Sequence, residues 1–464
     1  MLNASRLELP QPPSLRRGFH NARNLRTSAA GRSIGGVGVG FYGPLGPAVH
    51  FGVSFDLADT LARYAALTVR VGLNVRAGQS VFISSPIEAA PFTRLAAAEA
   101  YRAGASLVDV AWFDDEVALA RYRLAAKDSF SEYPVWFAQG RRAAGEAGAA
   151  FLGISGENPD LLAGQDPDSI AAATGASRTH NHALQELLSS NRSNWSVVAV
   201  PTRAWAAKVT GRDDDAGLEL LWMHIISATR LDAPDPVSAW EEHLRALEAR
   251  RDEINARRFR SLRFTGPGTN LHVRLPDAHL WRGGRAVTTG GQVFAPNLPT
   301  EEIFTLPSRD GVDGTVRATK PLSYAGTLIE DITLTFKDGE CVQANATRNE
   351  DALLRLLDTD AGARRLGEVA LVSNSGAVAR TNTLFFNTLY DENAACHLAL
   401  GNAYPFTVEG GADMSKDAFA AAGGNTSLTH VDFMIGDASV SVDGLTADGD
   451  SVPILREGEF VALG

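Results

Sequence analysis

The sequence predicts an α/β first half with an open, mainly parallel sheet, followed by an α+β second half with a β-rich core. The chain has 464 residues, more than a single hydrophobic core usually supports, so we expect two domains. Strand-like and helix-like segments alternate up to about residue 260, which is typical of parallel βαβ units. Beyond that point, short β-like runs separated by Gly and Pro dominate. The predicted domains therefore cover residues 54–260 and 261–464.

Residues 1–53 have a composition that is not typical of either domain. They are rich in Arg and contain a single acidic residue, Glu8. This composition resembles a transit peptide, but no amphipathic pattern is visible. A Gly-x-Gly-x-x-Gly motif at 38–43 is followed by Pro44 and Pro47 rather than by the helix that a dinucleotide-binding motif requires. We interpret the segment as a leader that is disordered, or as a non-native extension.

The first half contains a regular order of helices and strands. Asp56 can accept hydrogen bonds from the first turn of the helix that follows it, and Gly104 ends the second helix. Because strand, helix and strand follow one another at βαβ spacing, parallel pairing is expected. The predicted elements are a helix from 57, a strand at 81–85, a helix at 91–103, strands at 106–112 and 149–154, a helix at 168–188, a strand at 196–201 and a helix at 237–258.

The second half has shorter elements. Its apolar runs are interrupted by Gly and Pro at intervals too short for long helices. Two exceptions have helical composition, and the second of them is followed by Gly401, a typical helix stop. The predicted elements are strands at 261–264, 270–275, 315–318, 326–336, 340–344, 369–372 and 430–435, and helices at 350–357 and 393–400.

Composition argues against several classes of partner. The formal charge of −11 and the absence of a basic stripe argue against nucleic acid. No apolar run approaches the ~20 residues needed to span a membrane. Two cysteines, Cys341 and Cys396, cannot form a disulfide framework, and they indicate a reducing, cytoplasmic location. Any bound transition metal must therefore be held by oxygen and imidazole ligands.

His430 and Asp432 lie two residues apart in a segment that alternates apolar and polar residues. The apolar residues between and after them share one face of a predicted strand, so His430 and Asp432 share the other. An imidazole and a carboxylate on a rigid strand suit a divalent metal. A solvated polar face and a plain His–Asp hydrogen bond are the alternative interpretations.

The other candidate residues are weak when each is considered alone. His397 lies on the predicted Ala-rich helix, where a His is more often a core residue than a ligand. Tyr404 follows this helix, and its phenol either packs, donates to an oxyanion or contacts a metal. Glu301 and Glu302 follow a Pro-containing segment but precede apolar residues, unlike a solvated loop. Glu368 opens an apolar strand, where burial requires a partner or an ion.

Four motifs in a fixed order connect these residues. They are Asn-Leu-Pro-Thr-Glu-Glu at 297–302, Arg-Asp-Gly-Val-Asp-Gly-Thr-Val at 309–316, Asp-Glu-Asn-Ala-Ala-Cys-His-Leu-Ala-Leu-Gly at 391–401 and His-Val-Asp-Phe-Met-Ile-Gly at 430–436. Together they resemble the M29 family of metallo-aminopeptidases, also called the aminopeptidase T or thermophilic aminopeptidase group. The resemblance is dense from 297 onward and looser back to about 55, where Val-Pro-Thr-Arg-Ala-Trp-Ala at 200–206 also fits.

The resemblance implies an enzyme that removes the N-terminal residue from peptides with a free N-terminus. It also implies a homodimer whose active site opens into an internal cavity. The segment between His397 and His430 is longer than in the family pattern, which indicates a loop insertion at about 410–424. The family's site positions fall on Glu302, Glu368, His397, Tyr404, His430 and Asp432.

The chemistry of this residue set predicts its mechanism. Oxygen and imidazole ligands without thiolate suit Zn²⁺, Co²⁺ or Mn²⁺. Three carboxylates and two histidines exceed the three protein ligands of a single catalytic zinc, so we expect two ions that share Glu368. Such a pair activates a water for attack on the N-terminal peptide bond. Glu301 is then a general base or a salt-bridged neighbour, and Tyr404 is a donor to the tetrahedral intermediate or a further ligand.

Two other classes of function stay open. A serine-type hydrolase using His430 and Asp432 needs a Gly-x-Ser-x-Gly elbow, and no such sequence precedes a predicted helix. A non-catalytic binding module built on the open α/β sheet predicts no stoichiometric metal and no release of amino acids. Inhibition by chelators rather than by serine reagents separates the metal enzyme from the serine hydrolase.

Overall fold

Residues 55–324 and 326–463 are described by the structure, a computed structural model. The predicted leader at 1–53 therefore lies outside the described residues. Residues 55–464 form one compact unit with two large hydrophobic cores. The first core lies mainly before residue 260 and the second lies after about 254. The domain boundary near 260 stays a prediction.

Helices concentrate in the first half of the chain. Asp56 caps the first one as predicted, because its carboxylate accepts hydrogen bonds from the N–H groups of Ala58 and Asp59. No helix within the described residues is long and apolar enough to cross a membrane. The helices are α1 Leu57–Leu67, α2 Ala90–Arg102, α3 Asp115–Leu124, α4 Val135–Glu146, α5 Pro167–Ser189, α6 Arg203–Thr210, α7 Asp215–Ala228, α8 Pro236–Arg257, α9 Glu350–Leu357, α10 Thr388–Asp391 and α11 Lys416–Ala421.

Strands dominate the second half. The strands are β1 Ser80–Pro86, β2 Leu107–Phe113, β3 Ala150–Ser155, β4 Trp195–Ala199, β5 Ser261–Gly266, β6 Thr269–Arg274, β7 Arg282–Gly283, β8 Ala286–Val287, β9 Val293–Phe294, β10 Asn297–Leu298, β11 Glu302–Thr305, β12 Val312–Arg317, β13 Leu322–Tyr324, β14 Thr327–Ile329, β15 Thr333–Lys337, β16 Glu340–Asn345, β17 Leu366–Val372, β18 His397–Gly401, β19 His430–Met434, β20 Ser441–Leu445, β21 Ser451–Arg456 and β22 Glu459–Phe460.

The first sheet is open and parallel, as the βαβ pattern predicts. Its strand order is β10-β4-β3-β1-β2, and every neighbouring pair is parallel. β10 comes from the second half of the chain and pairs with β4. The carboxyl end of β10 therefore leaves the sheet at the same edge as the carboxyl ends of β1 to β4. The segment 299–302, which leads into β11, begins at this edge.

The remaining large sheets are antiparallel and enclose the second core. One has the order β19-β18-β17-β11-β7, and the other is eight-stranded with the order β16-β15-β12-β6-β5-β20-β21-β22. Apolar residues from both sheets belong to one buried cluster. This confirms the predicted β-rich core of the second half. We call the antiparallel sheet β19-β18-β17-β11-β7 the site sheet, because the face turned away from this core carries the candidate ligands described below.

Two predicted elements of the second half are wrong. The segment 393–400 is not a helix, because a 3₁₀ turn at Glu392–Ala394 is followed by β18. β18 is hydrogen-bonded to β17 on one side and to β19 on the other, and this pairing outweighs the helix propensity of its alanines. Gly401 therefore ends a strand rather than a helix. The predicted strand at 326–336 is two strands, β14 and β15, separated at Asp331 in the left-handed region with φ of 54°.

Candidate metal centre

One face of the site sheet gathers five of the candidate residues. Side chains of directly paired antiparallel residues point to the same face. Glu302 on β11 pairs with Val372 on β17, and His397 on β18 pairs with Ala370 on the same strand as Val372. Each pair puts its candidate ligand on the face that Val372 and Ala370 share. Glu302 and His397 therefore face the same side as each other.

The same register brings in the other three residues. Ala399 on β18 pairs with Glu368 on one side and with Asp432 on the other. Gly401, two residues further along β18, pairs with His430. The small side chains at these β18 positions leave open space between the acidic and imidazole groups. The opposite face of these strands contributes apolar residues to the second core.

A β-bulge aims Glu368 at this face. The register between β17 and β18 shifts between Leu366 and Glu368, so Leu366 points into the second core while Glu368 points to the site. Gly367 makes the bulge possible, because a Cβ atom there would lie 2.3 Å from the carbonyl oxygen of Asn402. The bulge therefore determines which face the glutamate occupies.

The five side chains form two groups that share Glu368. Ligand atoms of Glu302, Glu368 and His397 lie within 4.8 Å of one another, and so do those of Glu368, His430 and Asp432. Glu368 Oε1 is 3.5 Å from His397 Nε2, and Glu368 Oε2 is 3.7 Å from His430 Nε2. Each oxygen of one carboxylate thus faces a different histidine.

Both histidines are oriented by backbone carbonyl groups. His397 Nδ1 lies 3.1 Å from Ala395 O, and His430 Nδ1 lies 2.7 Å from Asn402 O. A carbonyl oxygen only accepts, so each Nδ1 carries the proton. Nε2 of each ring faces the carboxylates, to which it donates when protonated, and it offers its lone pair to an ion once that proton is lost. A metal-binding histidine is held in this way, with its other ring nitrogen donating to a carbonyl or carboxylate.

The charges of the group shift its proton equilibria. Burial alone would lower the pKa of His430, but Asp432 and Glu368 raise it to about 10. Burial would likewise lower the pKa of His397, yet its contacts with Glu302 and Glu368 raise it well above its ordinary value. Burial, together with Glu302 and Asp432, raises the pKa of Glu368 to about 7. The protons held here are those that a bound cation would displace.

The residues fit divalent cations. Glu302 Oε2 and Asp432 Oδ1 are buried, and each lies beside a histidine Nε2, at 3.0 Å from His397 and 3.5 Å from His430. His397 is only 1% exposed. Several carboxylates buried together are unfavourable unless protons or a cation balance their charge. Carboxylates and imidazoles without thiolate form the donor set of Zn²⁺, Co²⁺ or Mn²⁺ sites.

Tyr404 borders the same group. Its ring centroid lies 4.8 Å from that of His430 and stacks at 5.2 Å on Phe406. Burial and the nearby carboxylates, Glu368 and Asp432 first among them, raise the pKa of Tyr404 well above its ordinary value. The phenol therefore stays protonated and can donate a hydrogen bond.

Glu301 is directed away from the two groups. Its carboxylate lies 2.8 Å from Arg230 Nη2 and 3.6 Å from His243 Nε2, and it belongs to neither cluster of candidate ligands. Of the two roles open to Glu301 from the sequence, this ion pair favours the salt-bridged neighbour over the general base. Glu302, one residue later, carries the carboxylate that faces the site.

Glu392 lies on a 3₁₀ turn packed against β19, beside the site, although sequence reasoning does not single it out. Burial and the negative charges of Glu302 and Asp432 raise the pKa of Glu392 well above its ordinary value. It lies five residues before His397, within one of the quoted motifs. The available signal was an acid at the start of a predicted helix, which is ordinarily read as favourable for the helix dipole.

A loop supported by the parallel sheet carries Glu392. Trp205 Nε1 donates to Phe385 O at 2.6 Å, and Asn387 Nδ2 donates to the hydroxyl of Ser155 at 2.8 Å. Ser155 is the last residue of β3, and Trp205 lies on the helix after β4. The carboxyl edge of the parallel sheet thus positions one acid of the site, while the site sheet positions the others.

The chain matches known proteins over most of its length. Residues 57–460 match the family described as Thermophilic metalloprotease (M29). Aminopeptidase 2 of Geobacillus stearothermophilus is 47% identical over 404 residues, which cover 86% of this chain and 97% of the relative. Aminopeptidase T of Thermus thermophilus is 46% identical over 403 residues, covering 86% and 98%. The solved structure of wild-type AmpT from Thermus thermophilus has a TM-score of 0.83 and 44% identity, covering 88% of this chain and 100% of that chain.

These similarities agree with the fold and with the buried donor set. The parallel α/β region and the β-rich region occur together in the similar solved structure. The family match spans both of them and includes every candidate ligand. The chain therefore belongs to the M29 family of thermophilic metalloproteases.

Proposed function

We propose that this chain is a metal-dependent aminopeptidase, which removes the N-terminal residue of peptides at a site for two divalent ions. The observation that carries the proposal is the position of Glu368, whose two oxygens face different histidines. A carboxylate shared between two donor groups is the arrangement expected of a bridging ligand. The names of the relatives, which include Aminopeptidase 2 and Aminopeptidase T, support the reaction type.

The two donor groups assign the ligands. One ion would be held by Glu302, Glu368 and His397, and the other by Glu368, His430 and Asp432. We assign Zn²⁺, Co²⁺ or Mn²⁺ to these positions, because all the donors are oxygen or imidazole nitrogen. When bound, such ions lower the pKa of water and polarise the carbonyl group of the bond to be cleaved.

Residues of the chain supply the remaining steps. The protonated phenol of Tyr404 donates a hydrogen bond to the oxygen on which negative charge develops. Glu392 is a further acid near these carboxylates. The free α-amino group of a peptide would be held by a bound ion or by a nearby carboxylate, which accounts for cleavage at the N-terminal bond. Glu301 supports the site through Arg230 rather than through contact with substrate.

Location and assembly are further parts of the proposal. Both cysteines are free and buried, which suits a reducing, cytoplasmic location. A homodimer is expected from the family resemblance. Size-exclusion chromatography with light scattering tests the dimer, and a monomeric mass would contradict it.

The test is hydrolysis of chromogenic aminoacyl substrates by chelator-treated and metal-restored protein. We expect no turnover after chelation, recovery with Zn²⁺, Co²⁺ or Mn²⁺, and no cleavage of the matching Nα-acetylated substrates. Serine reagents should have no effect. Full activity without metal together with inactivation by a serine reagent would instead support the serine-type hydrolase, and absence of both metal and turnover would support a binding module.

A further inference from the structure

Two side chains hold both polar atoms of the Thr300–Glu301 peptide unit, one residue before Glu302. The carbonyl oxygen of Thr300 lies 2.8 Å from His243 Nε2. The N–H of Glu301, in the same peptide unit, donates to Asn393 Oδ1 at 2.6 Å. His243 lies on α8, before this peptide in the sequence, and the fully buried Asn393 lies after it. The two contacts therefore come from opposite directions along the chain. The peptide unit next to a candidate ligand is therefore fixed on both sides.

Arg230 connects these contacts to the carboxylate of Glu301. Its Nη2 lies 2.8 Å from Glu301 Oε1 and 3.0 Å from His243 Nδ1. Since the Nε2–H of His243 donates to Thr300 O, Nδ1 has a lone pair and accepts from the guanidinium. Burial lowers the pKa of His243, which agrees with a neutral ring. The guanidinium also lies over the ring of Trp240, 4.9 Å from its centroid.

The backbone of Arg230 is in a conformation that favours glycine. Its φ is 55°, in the left-handed region, two residues after the end of α7. A non-glycine residue in this region is strained and is expected where its side chain has a use. The contacts of the guanidinium supply that use. Arg258 has the same conformation after α8, with φ of 50°, but its guanidinium pairs with Glu409 on the surface.

We propose that Arg230, His243 and Asn393 form a positioning network that holds the Thr300–Glu301 peptide and thereby aims the carboxylate of Glu302 at the metal site. Glu301 is the charged anchor of this network, and none of the four residues acts on substrate. The inference rests on the proposed function only for the identity of the site as a metal site. It assigns a role to Glu301 that differs from that of a general base.

The test compares Arg230→Gly with Arg258→Gly. Both changes place glycine where the backbone favours it, so neither introduces backbone strain, but only the first removes the network. We expect Arg230→Gly to bind Zn²⁺ about 10- to 100-fold more weakly in a competition titration with a chromogenic chelator. Arg258→Gly should bind Zn²⁺ like the wild type. Arg230→Lys, which keeps the charge but loses the planar fork, should be intermediate.

Metal affinity and folding are measured on the same samples, without peptide. Wild-type affinity in Arg230→Gly would overturn the inference. If Arg230→Gly lowers the urea midpoint of the metal-free protein, Arg230→Lys is compared with the wild type at an unchanged midpoint. Weaker Zn²⁺ binding by Arg230→Lys then supports the network, and wild-type Zn²⁺ binding overturns it. A wild type that binds Zn²⁺ but releases no amino acids would count against the proposed function alone, so the two failures are distinguishable.

Discussion

Glu368→Gln is expected to act in opposite directions on the metal-free and the metal-loaded protein. In the metal-free protein, burial and the neighbouring Glu302 and Asp432 raise the pKa of Glu368 from 4.5 to about 7. An acid whose pKa is raised by folding destabilises the folded state as the pH rises from 4.5, and the full penalty is present above about pH 7. At about 1.4 kcal/mol per pH unit, this penalty is on the order of 3 kcal/mol.

Glutamine has nearly the same shape as glutamate and no charge. Metal-free Glu368→Gln should therefore be more stable than the wild type at pH 8, by up to about 3 kcal/mol. Bound metal reverses this order of stability, so that the wild type becomes the more stable protein. A ligand present at 100 times its Kd stabilises the folded state by about 2.7 kcal/mol, and the wild type gains this for each ion. The variant loses the shared ligand and gains little.

Urea unfolding at pH 8 measures both effects, with chelator-treated protein in one series and excess Zn²⁺ in the other. Elemental analysis gives the metal content of each sample. Glu340→Gln serves as the control, because Glu340 is 54% exposed and its loss should change the free energy of unfolding by less than about 0.5 kcal/mol. A Glu368→Gln or Glu368→Ala protein with wild-type metal content and turnover would refute the assignment of Glu368 as the shared ligand.

Three further predictions concern neighbouring features of the site. Tyr404→Phe should lower kcat by about 10²- to 10³-fold with unchanged metal content, whereas loss of metal would make Tyr404 a ligand instead of a donor. Since the pKa of His430 is raised to about 10, metal binding at neutral pH must release its proton. Apparent affinity should then rise with pH towards 10, and calorimetry in buffers of different ionisation enthalpy should detect the proton; binding without proton release would contradict this. Gly367→Ala should cost about 1–3 kcal/mol and abolish metal binding, because its Cβ would collide with Asn402 O and redirect Glu368. Gly175→Ala, whose Cβ would meet nothing within 4 Å, should bind metal normally.

Local sequence patterns were sufficient to predict some parts of the fold and of the site. The alternation around His430 and Asp432 correctly predicted a strand with both residues on one face, because side-chain direction in a strand depends only on the period of two. The parallel sheet followed from βαβ spacing, because a helix between two strands lets the second strand run in the same direction as the first. Asp56 was identifiable as a helix cap because capping involves only the next few residues.

Other parts depend on contacts between distant segments. The alanines around His397 predict a helix, and only pairing with β17 and β19 makes this segment a strand. The direction of Glu368 depends on a register shift, which no local pattern encodes. Glu301 and Glu302 are adjacent and chemically identical. They are distinguished by Arg230, which lies about 70 residues earlier in the chain and pairs with only one of them.

The direct test of the central claim is restoration of a metal-free protein with counted ions. The purified chain is treated with chelator, Zn²⁺ or Co²⁺ is added in steps, and bound metal and release of the N-terminal residue are followed together. We predict no release before metal is added and a rise in activity that saturates at about two ions per chain. Full activity in protein free of metal, or saturation with metal without any release from a panel of peptides with free N-termini, would contradict the account.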